Sequence, residues 1–275
     1  MRAAVLLLLV SMPAAAQYSA QRARLDGAEV IQLEDRSRDV AVSIVPSLGN
    51  IAYEMKVKGK NVFWFPFASV AEFRQKPALC GNPLLAPWAN RLDENAFYAR
   101  GKKYLLNPGL GNLRLDGFGH PIHGLLLFAS DWEVVELQAN AGGAWVTSRL
   151  DFARHPDWLA QFPFAHTIYM TYTLRDGALE VATRVENRSV ETMPLSLGYH
   201  PYFQVHDAPR DEWTVGLGAA REWLLNKELL PTGETRPIRE LTPDPQNVAL
   251  RGLADRKSTR LNSSHIQKSR MPSSA

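Results

Sequence analysis

His166-Thr167-Ile168-Tyr169-Met170-Thr171-Tyr172-Thr173-Leu174-Arg175-Asp176-Gly177-Ala178-Leu179-Glu180-Val181-Ala182-Thr183-Arg184-Val185 is the most legible stretch of the chain. Two runs rich in β-branched and aromatic residues flank Asp176-Gly177. That dipeptide supplies the positive φ angles a two-residue turn needs, so the stretch predicts a β-hairpin. The same grammar extends outward. Trp132 to Leu137 and Ala144 to Leu150 flank Asn140-Ala141-Gly142-Gly143, a second hairpin. Val40, Val42 and Ile44 fall on one face of a strand, and Ile51, Tyr53, Met55 and Val57 alternate in the same way. Gly59-Lys60 then turns the chain into Val62 and Trp64. Helical periodicity is confined to one short turn over Val70 to Gln75. Many short strands punctuated by Gly and Pro predict an all-β sandwich or barrel. No internal repeat and no linker divides residues 17–255, which read as one domain.

The ends read differently. Met1-Arg2, the apolar run Ala3 to Val10, and Ala14-Ala15-Ala16 have the three parts of a secretory signal peptide over residues 1–16. The apolar run is too short to span a bilayer, and no other stretch is a transmembrane candidate. The expectation is export, to the periplasm or outside the cell, with no membrane contact once the signal is removed. Residues 256–275 hold six serines and five basic residues with no aromatic, and cannot supply a core strand. They resemble translated adaptor sequence joined to a truncated gene. On that reading they form a disordered or artefactual tail, and the chain is incomplete near Ala254 or Asp255.

Charge and cysteine narrow the function classes. The chain of 275 residues carries a formal +3. Removing the +5 of residues 256–275 and the +1 of Arg2 leaves −3 for residues 17–255. A mildly acidic body gives no electrostatic footprint for nucleic acid. Cys80 is the single cysteine, so no intrachain disulfide forms, and a buried inert thiol is the expectation. With 45% apolar residues the domain can be stable from its core alone.

One region breaks the strand grammar. Residues 75–125 are rich in Pro and Gly, and long irregular stretches in compact β domains often carry function. This region contains Asn82-Pro83-Leu84-Leu85-Ala86-Pro87-Trp88-Ala89-Asn90-Arg91 and Phe118-Gly119-His120-Pro121-Ile122-His123-Gly124-Leu125. Further on, Leu197-Gly198-Tyr199-His200-Pro201-Tyr202-Phe203 places one histidine between two tyrosines. Pro201 keeps His200 extended and, lacking an N–H, ends or bulges the strand. An imidazole at a strand end walled by aromatics suits proton work on a small polar ligand, and it equally suits a hydrogen-bonded β core.

Asn90-Arg91, His123-Gly124 and His200-Pro201-Tyr202-Phe203, with Leu230-Pro231-Thr232-Gly233-Glu234, resemble the aldose 1-epimerase (mutarotase) family from about residue 25 to residue 254. The resemblance implies a large antiparallel β-sandwich of the galactose mutarotase type, with a sugar cleft on one sheet. It implies interconversion of the α and β anomers of a free aldohexose, with no cofactor and no metal. By the same resemblance His200 matches the general acid at the ring oxygen, and His123 matches a second histidine near that oxygen. Arg91 matches a substrate arginine whose fork of donors can hold two sugar oxygens, and Asn90 adds an amide. Trp64, Trp88 and Tyr202 are candidates for stacking on a sugar face. The family's general base, a late glutamate preceded by a binding aspartate, has no match. Glu234 lies in a turn-like segment and is not that base, and Asp255 abuts the foreign-looking tail. The chain as it stands is therefore expected to fold poorly and to show little epimerase activity.

Two other readings stay open. His120, His123 and His200 could be metal ligands in a cupin-like barrel. Alternatively, the chain is a non-catalytic carbohydrate-binding β-sandwich. A glycosidase lacks its two cooperating carboxylates. His155, His166 and His206 read as structural or surface residues.

Overall fold

The computed structural model describes residues 16–251. The signal expected over residues 1–16 lies, but for Ala16, outside these residues, as does the tail 256–275. The chain starts with an antiparallel sheet of five strands in sequential order: β1 (Tyr18–Leu25), β2 (Ala28–Asp35), β3 (Val40–Val45), β4 (Ile51–Val57) and β5 (Lys60–Asn61). A short helix α1 (Val70–Gln75) follows, capped by the Ser69 hydroxyl, which accepts from the Glu72 N–H. It occupies the six residues that sequence assigns to one helical turn. Strands β6 (Leu84–Leu85), β7 (Ala96–Ala99) and β8 (Lys102–Leu105) break up the Pro- and Gly-rich region. A second sheet holds β9 (Glu133–Asn140), β10 (Gly143–Asp151), β11 (His166–Arg175) and β12 (Ala178–Asn187), with α2 (Pro156–Gln161) between β10 and β11.

The hairpin read first is present. β11 and β12 pair from His166↔Asn187 to Arg175↔Ala178, and Asp176 and Gly177 take φ of 52° and 76° at the turn. The β9–β10 hairpin is also present and longer than expected, pairing as far as Gly143↔Asn140. Its turn is therefore two residues, Ala141-Gly142, rather than four. A further hairpin, β1–β2, which the sequence pattern does not announce, turns at Asp26-Gly27 with φ of 52° and 77°.

The two sheets face one another across a single core. Ile31, Leu33, Val42 and Ile44 of the first sheet share it with Ala144, Val146, Leu150, Ile168, Met170, Tyr172 and Leu174 of the second. Every second residue of β10 and β11 enters it, the period of a sheet buried on one face. Several polar atoms in this core are matched, although the indole N–H groups of Trp88 and Trp132 have no partner among the described residues. Ser148 Oγ donates to Asn50 Oδ1 at 3.0 Å, and the Tyr172 hydroxyl donates to the Asn50 carbonyl at 2.8 Å.

The other face of the first sheet is covered as well. Val30, Val45, Ile51 and Tyr53 pack under α1 and the aromatic residues Phe65, Phe67 and Phe73. Cys80 is buried in that second cluster, where burial pushes its thiol up to about 12, so it is inert at neutral pH.

Beyond β12 the strands shorten. They are β13 (Gly198–Tyr199), β14 (Thr214–Val215), β15 (Arg221–Leu225), β16 (Pro231–Pro237) and β17 (Val248–Ala249), with helix α3 (Ile238–Leu241) before β17. They form two-stranded ladders only: β13 with β6, β14 with β17, and β15 with β16. Glu234, expected in a turn, lies within β16, although the Thr232 hydroxyl still accepts from its N–H at 3.2 Å as a turn residue's would.

Candidate functional site

Three strips of chain build the site. The first is 81–91, the second 114–124, and the third 196–204. The third strip is laced to the first by backbone bonds. The Ser196 N–H donates to the Pro87 carbonyl at 3.1 Å, Ala89 to Ser196 at 2.6 Å, His200 to Pro83 at 3.1 Å, and Tyr202 to Gly81 at 2.8 Å. β13 ends at Tyr199, one residue before His200, as the Pro201 argument requires. On its far side the strip joins residues 61–64. Trp64 donates to the Tyr202 carbonyl at 2.8 Å and Gln204 to the Val62 carbonyl at 2.9 Å.

The second strip is tied to the first around His123. The His123 N–H donates to the Asn90 carbonyl at 3.0 Å, and the N–H groups of Leu125 and Leu126 donate to the Ala86 carbonyl at 2.8 and 3.2 Å. Asn90, His123 and Gly124 all take positive φ, at 62°, 69° and 68°. A Cβ on Gly124 would stand 2.0 Å from the Ala86 carbonyl oxygen, so glycine is the one residue that lets the histidine strip approach this closely.

These ties bring His123 and His200 together. Their rings are 5.5 Å apart between centroids and nearly perpendicular, at 83°. His200 stacks on Tyr202 at 4.8 Å and 15°, and Tyr202 in turn meets Trp64 at 5.8 Å. His123 is buried, and Nδ1 has no hydrogen-bond partner among the described residues. Burial holds its imidazole neutral, with His200, Arg114 and Arg91 pushing in the same direction, so its pKa falls to about 3. At neutral pH the ring offers one N–H and one lone pair.

Arg91 lies beside Asn90, whose Oδ1 accepts from Nη1 at 3.1 Å. Its Nε donates to Asp116 Oδ2 at 2.5 Å, an ion pair with little solvent exposure on either side. Burial acts to raise the Asp116 carboxyl, but Arg91 and the N–H groups of His120 and Phe118 outweigh it and hold the pKa below the usual value. The sequence reading passed over Asp116. No local pattern in the sequence points to it, because the pairing rests on the fold of its loop and on the burial of Arg91.

The aromatic candidates divide. Tyr202 and Trp64 lie at the histidine pair. Trp88 does not: it is 1% exposed and fills the core between the sheets. Tyr199, the other tyrosine flanking His200, bonds to the Thr183 hydroxyl, and burial pushes it up to about 12. Of the other described histidines, three are structural. His166 stacks on Phe152 at 4.2 Å with Nδ1 2.7 Å from the Phe164 carbonyl, His155 stacks on Trp158 at 3.7 Å, and His206 meets the Asn61 carbonyl at 2.6 Å. His120, a ligand in the metal reading, is instead 3.1 Å from Glu228 Oε2. Among the described residues no three His, Cys, Asp or Glu side chains are grouped to hold a metal ion. Among the same residues no helix is long and apolar enough to cross a membrane.

Comparison with known proteins matches residues 29–252 to the family model described as aldose 1-epimerase. A solved galactose mutarotase-like protein from Clostridium acetobutylicum superposes with a TM-score of 0.71 at 24% identity, covering 80% of this chain and 65% of that one. The galactose 1-epimerase from Lactobacillus acidophilus gives a TM-score of 0.62 at 14% identity, covering 82% and 64%. At those identities the likeness is one of fold. Two uncharacterized proteins of Escherichia coli K12, YphB and YihR, are each 26% identical, over 53% and 54% of this chain. The chain spans less than half the length of these curated relatives, at 43% and 44%.

Proposed function

The chain belongs to the aldose 1-epimerase family, and from that premise we propose that its site takes a free aldohexose and interconverts the α and β anomers. The observation that carries the reading is the perpendicular His123–His200 pair beside a fixed arginine. Anomer exchange needs a proton delivered to the ring oxygen as the C1 hydroxyl loses its own. The ring opens to the aldehyde, the C1 carbonyl rotates, and closure returns both protons. In this scheme His200 donates to the ring oxygen, and the C1 hydroxyl proton passes to solvent water, since no described carboxylate is assigned to receive it. His123, kept neutral by burial, hydrogen-bonds near the same oxygen without competing as a cation. Arg91 and Asn90 hold hydroxyl oxygens, and Tyr202 backs the His200 ring and borders the sugar.

The test is to follow fresh α-D-galactose and α-D-glucose by polarimetry. Interconversion above the buffer rate is expected, weak because the family's late glutamate has no match in this chain, and His200→Gln should return it to the buffer rate. Absence of both interconversion and sugar binding overturns the reading.

A second reading has one observation behind it. Two carboxylates that meet the site's strips are already engaged, Asp116 by Arg91 and Glu228 by His120. Engaged in this way, neither is free to act as the base. Sugar binding without interconversion would favour a carbohydrate-binding module and leave His200 as a ligand contact.

A further inference from the structure

Asp116 is spent entirely on orientation. Its Oδ2 accepts from Arg91 Nε at 2.5 Å, while Oδ1 accepts from the N–H groups of Phe118 at 2.8 Å and His120 at 3.0 Å. The turn carrying it is closed by its own backbone: Asp116 donates to the His120 carbonyl at 3.0 Å, and Gly119 donates to the Asp116 carbonyl at 3.1 Å. The carboxylate is therefore fixed before any ligand arrives. Its side chain is 7% exposed and that of Arg91 16%, so water competes weakly for the pair.

A guanidinium is a planar fork with five N–H donors. Anchoring Nε on Asp116 fixes its plane. The bond from Nη1 to Asn90 Oδ1 fixes the rotation about the side-chain axis. Three N–H groups then remain on the Nη edge, and among the described residues no other hydrogen bond uses them.

We propose that Asp116 is a positioning residue that presents the Nη edge of Arg91, already oriented, to a pair of neighbouring hydroxyls on the bound sugar. The proposal rests on the sugar reading above. Preorganisation of this kind acts on binding, because the ligand no longer has to restrict a long mobile side chain. Loss of Asp116 should raise KM and leave kcat nearly unchanged. A catalytic group would show the opposite split.

Asp116→Asn is the variant of choice. An asparagine oxygen can still accept from the Phe118 and His120 N–H groups, while its amide N–H₂ then confronts the Nε–H. Roughly a tenfold or greater rise in KM or sugar Kd is expected, with kcat within about threefold. In an Arg91→Gln background the same change should add almost nothing, because Asp116 acts through Arg91. An equal loss in both backgrounds overturns the proposal, for Asp116 would then serve only the turn.

Proton NMR supplies a measurement that needs no sugar. The Arg91 Nε–H should exchange slowly with solvent in the parent protein and quickly in Asp116→Asn. An unchanged, slow Nε–H overturns the proposal. If the parent protein neither binds nor interconverts sugars, the sugar reading fails, and the Nε–H result still decides whether Asp116 orients Arg91. Should Asp116→Asn fail to fold, Asp116→Ser keeps an acceptor for the turn and removes the partner of Nε, with the same expected outcomes.

Discussion

The two stretches of chain on either side of Asn187 are held in different ways. Before it, nine of the twelve strands lie in sheets of four and five (β7 pairs only with β8, and β6 only with β13), and alternate residues of β11 (His166, Ile168, Met170, Tyr172 and Leu174) are fully enclosed at 0% exposure. After it, strands meet in pairs, and the buried aliphatic side chains Leu217, Leu230, Ile238 and Leu250 retain 7–9% exposure and belong to none of the buried clusters. A strand pair with one open face cannot bury much apolar surface, so hydrogen bonds and loops carry more of its order. The proposed site lies on the seam. His123 comes from the enclosed part, and His200 comes from the start of the thinner part, where backbone bonds to Gly81 and Pro83 substitute for a core.

This contrast can be broken by cavity mutations. Phe152 is at 0% exposure among Trp158, Phe162 and His166, and Phe152→Ala should cost about 3–5 kcal/mol in urea unfolding. Ile238→Ala, in the thinner part, should cost about 1–2 kcal/mol, because that site can relax toward solvent. Equal losses would erase the distinction.

Acid sharpens it. In the fold the His123 pKa is about 3, well below the unfolded value of ~6.5. Between these limits the unfolded chain takes up a proton that the folded chain refuses. Stability is thus complete above pH ~6.5 and falls as the pH drops toward 3, by up to about 1.4 kcal/mol per pH unit from this residue. Burial depresses His166 in the same sense. A His123→Gln variant should lose that part of the slope in urea melts between pH 6.5 and 4.5, and an unchanged slope would place the acid sensitivity elsewhere. The smallest effect belongs to the thinner part. Glu228 is about half exposed, so Glu228→Gln should cost less than about 1 kcal/mol. Its mark should be faster amide exchange over 226–231, with little change in β11.

Where the chain obeys one-sided burial it could be read directly. β10 and β11 each bury every second residue, and Asp176-Gly177 announces its turn, so sheet and hairpin were both visible in the letters. β2 was invisible for the opposite reason. Val30 and Ile31 are neighbours and both fully buried, because the strand has a core on each side and loses its alternation. β1 buries only Tyr18 and exists through its pairing with β2. That His123, His200, Asn90 and Arg91 come together was legible only through family resemblance, because no local pattern says that segments so distant in sequence will meet. Asp116 escaped because its role depends on the shape of a loop. Trp88 was only a candidate for stacking, because an aromatic beside a site motif looks the same whether it faces ligand or core, and core is the commoner outcome.

The strip 196–204 has a consequence for how the molecule comes into being. Its backbone partners (Pro83, Pro87, Gly81 and Val62) precede it by more than a hundred residues. Both sandwich sheets precede this strip in the chain, so the groove proposed for sugar is expected to be completed only by a late docking step that brings His200 to it. Contacts so remote along the chain form slowly. A refolding experiment should therefore see the β-sheet signal mature first and the fluorescence of Trp64 settle last.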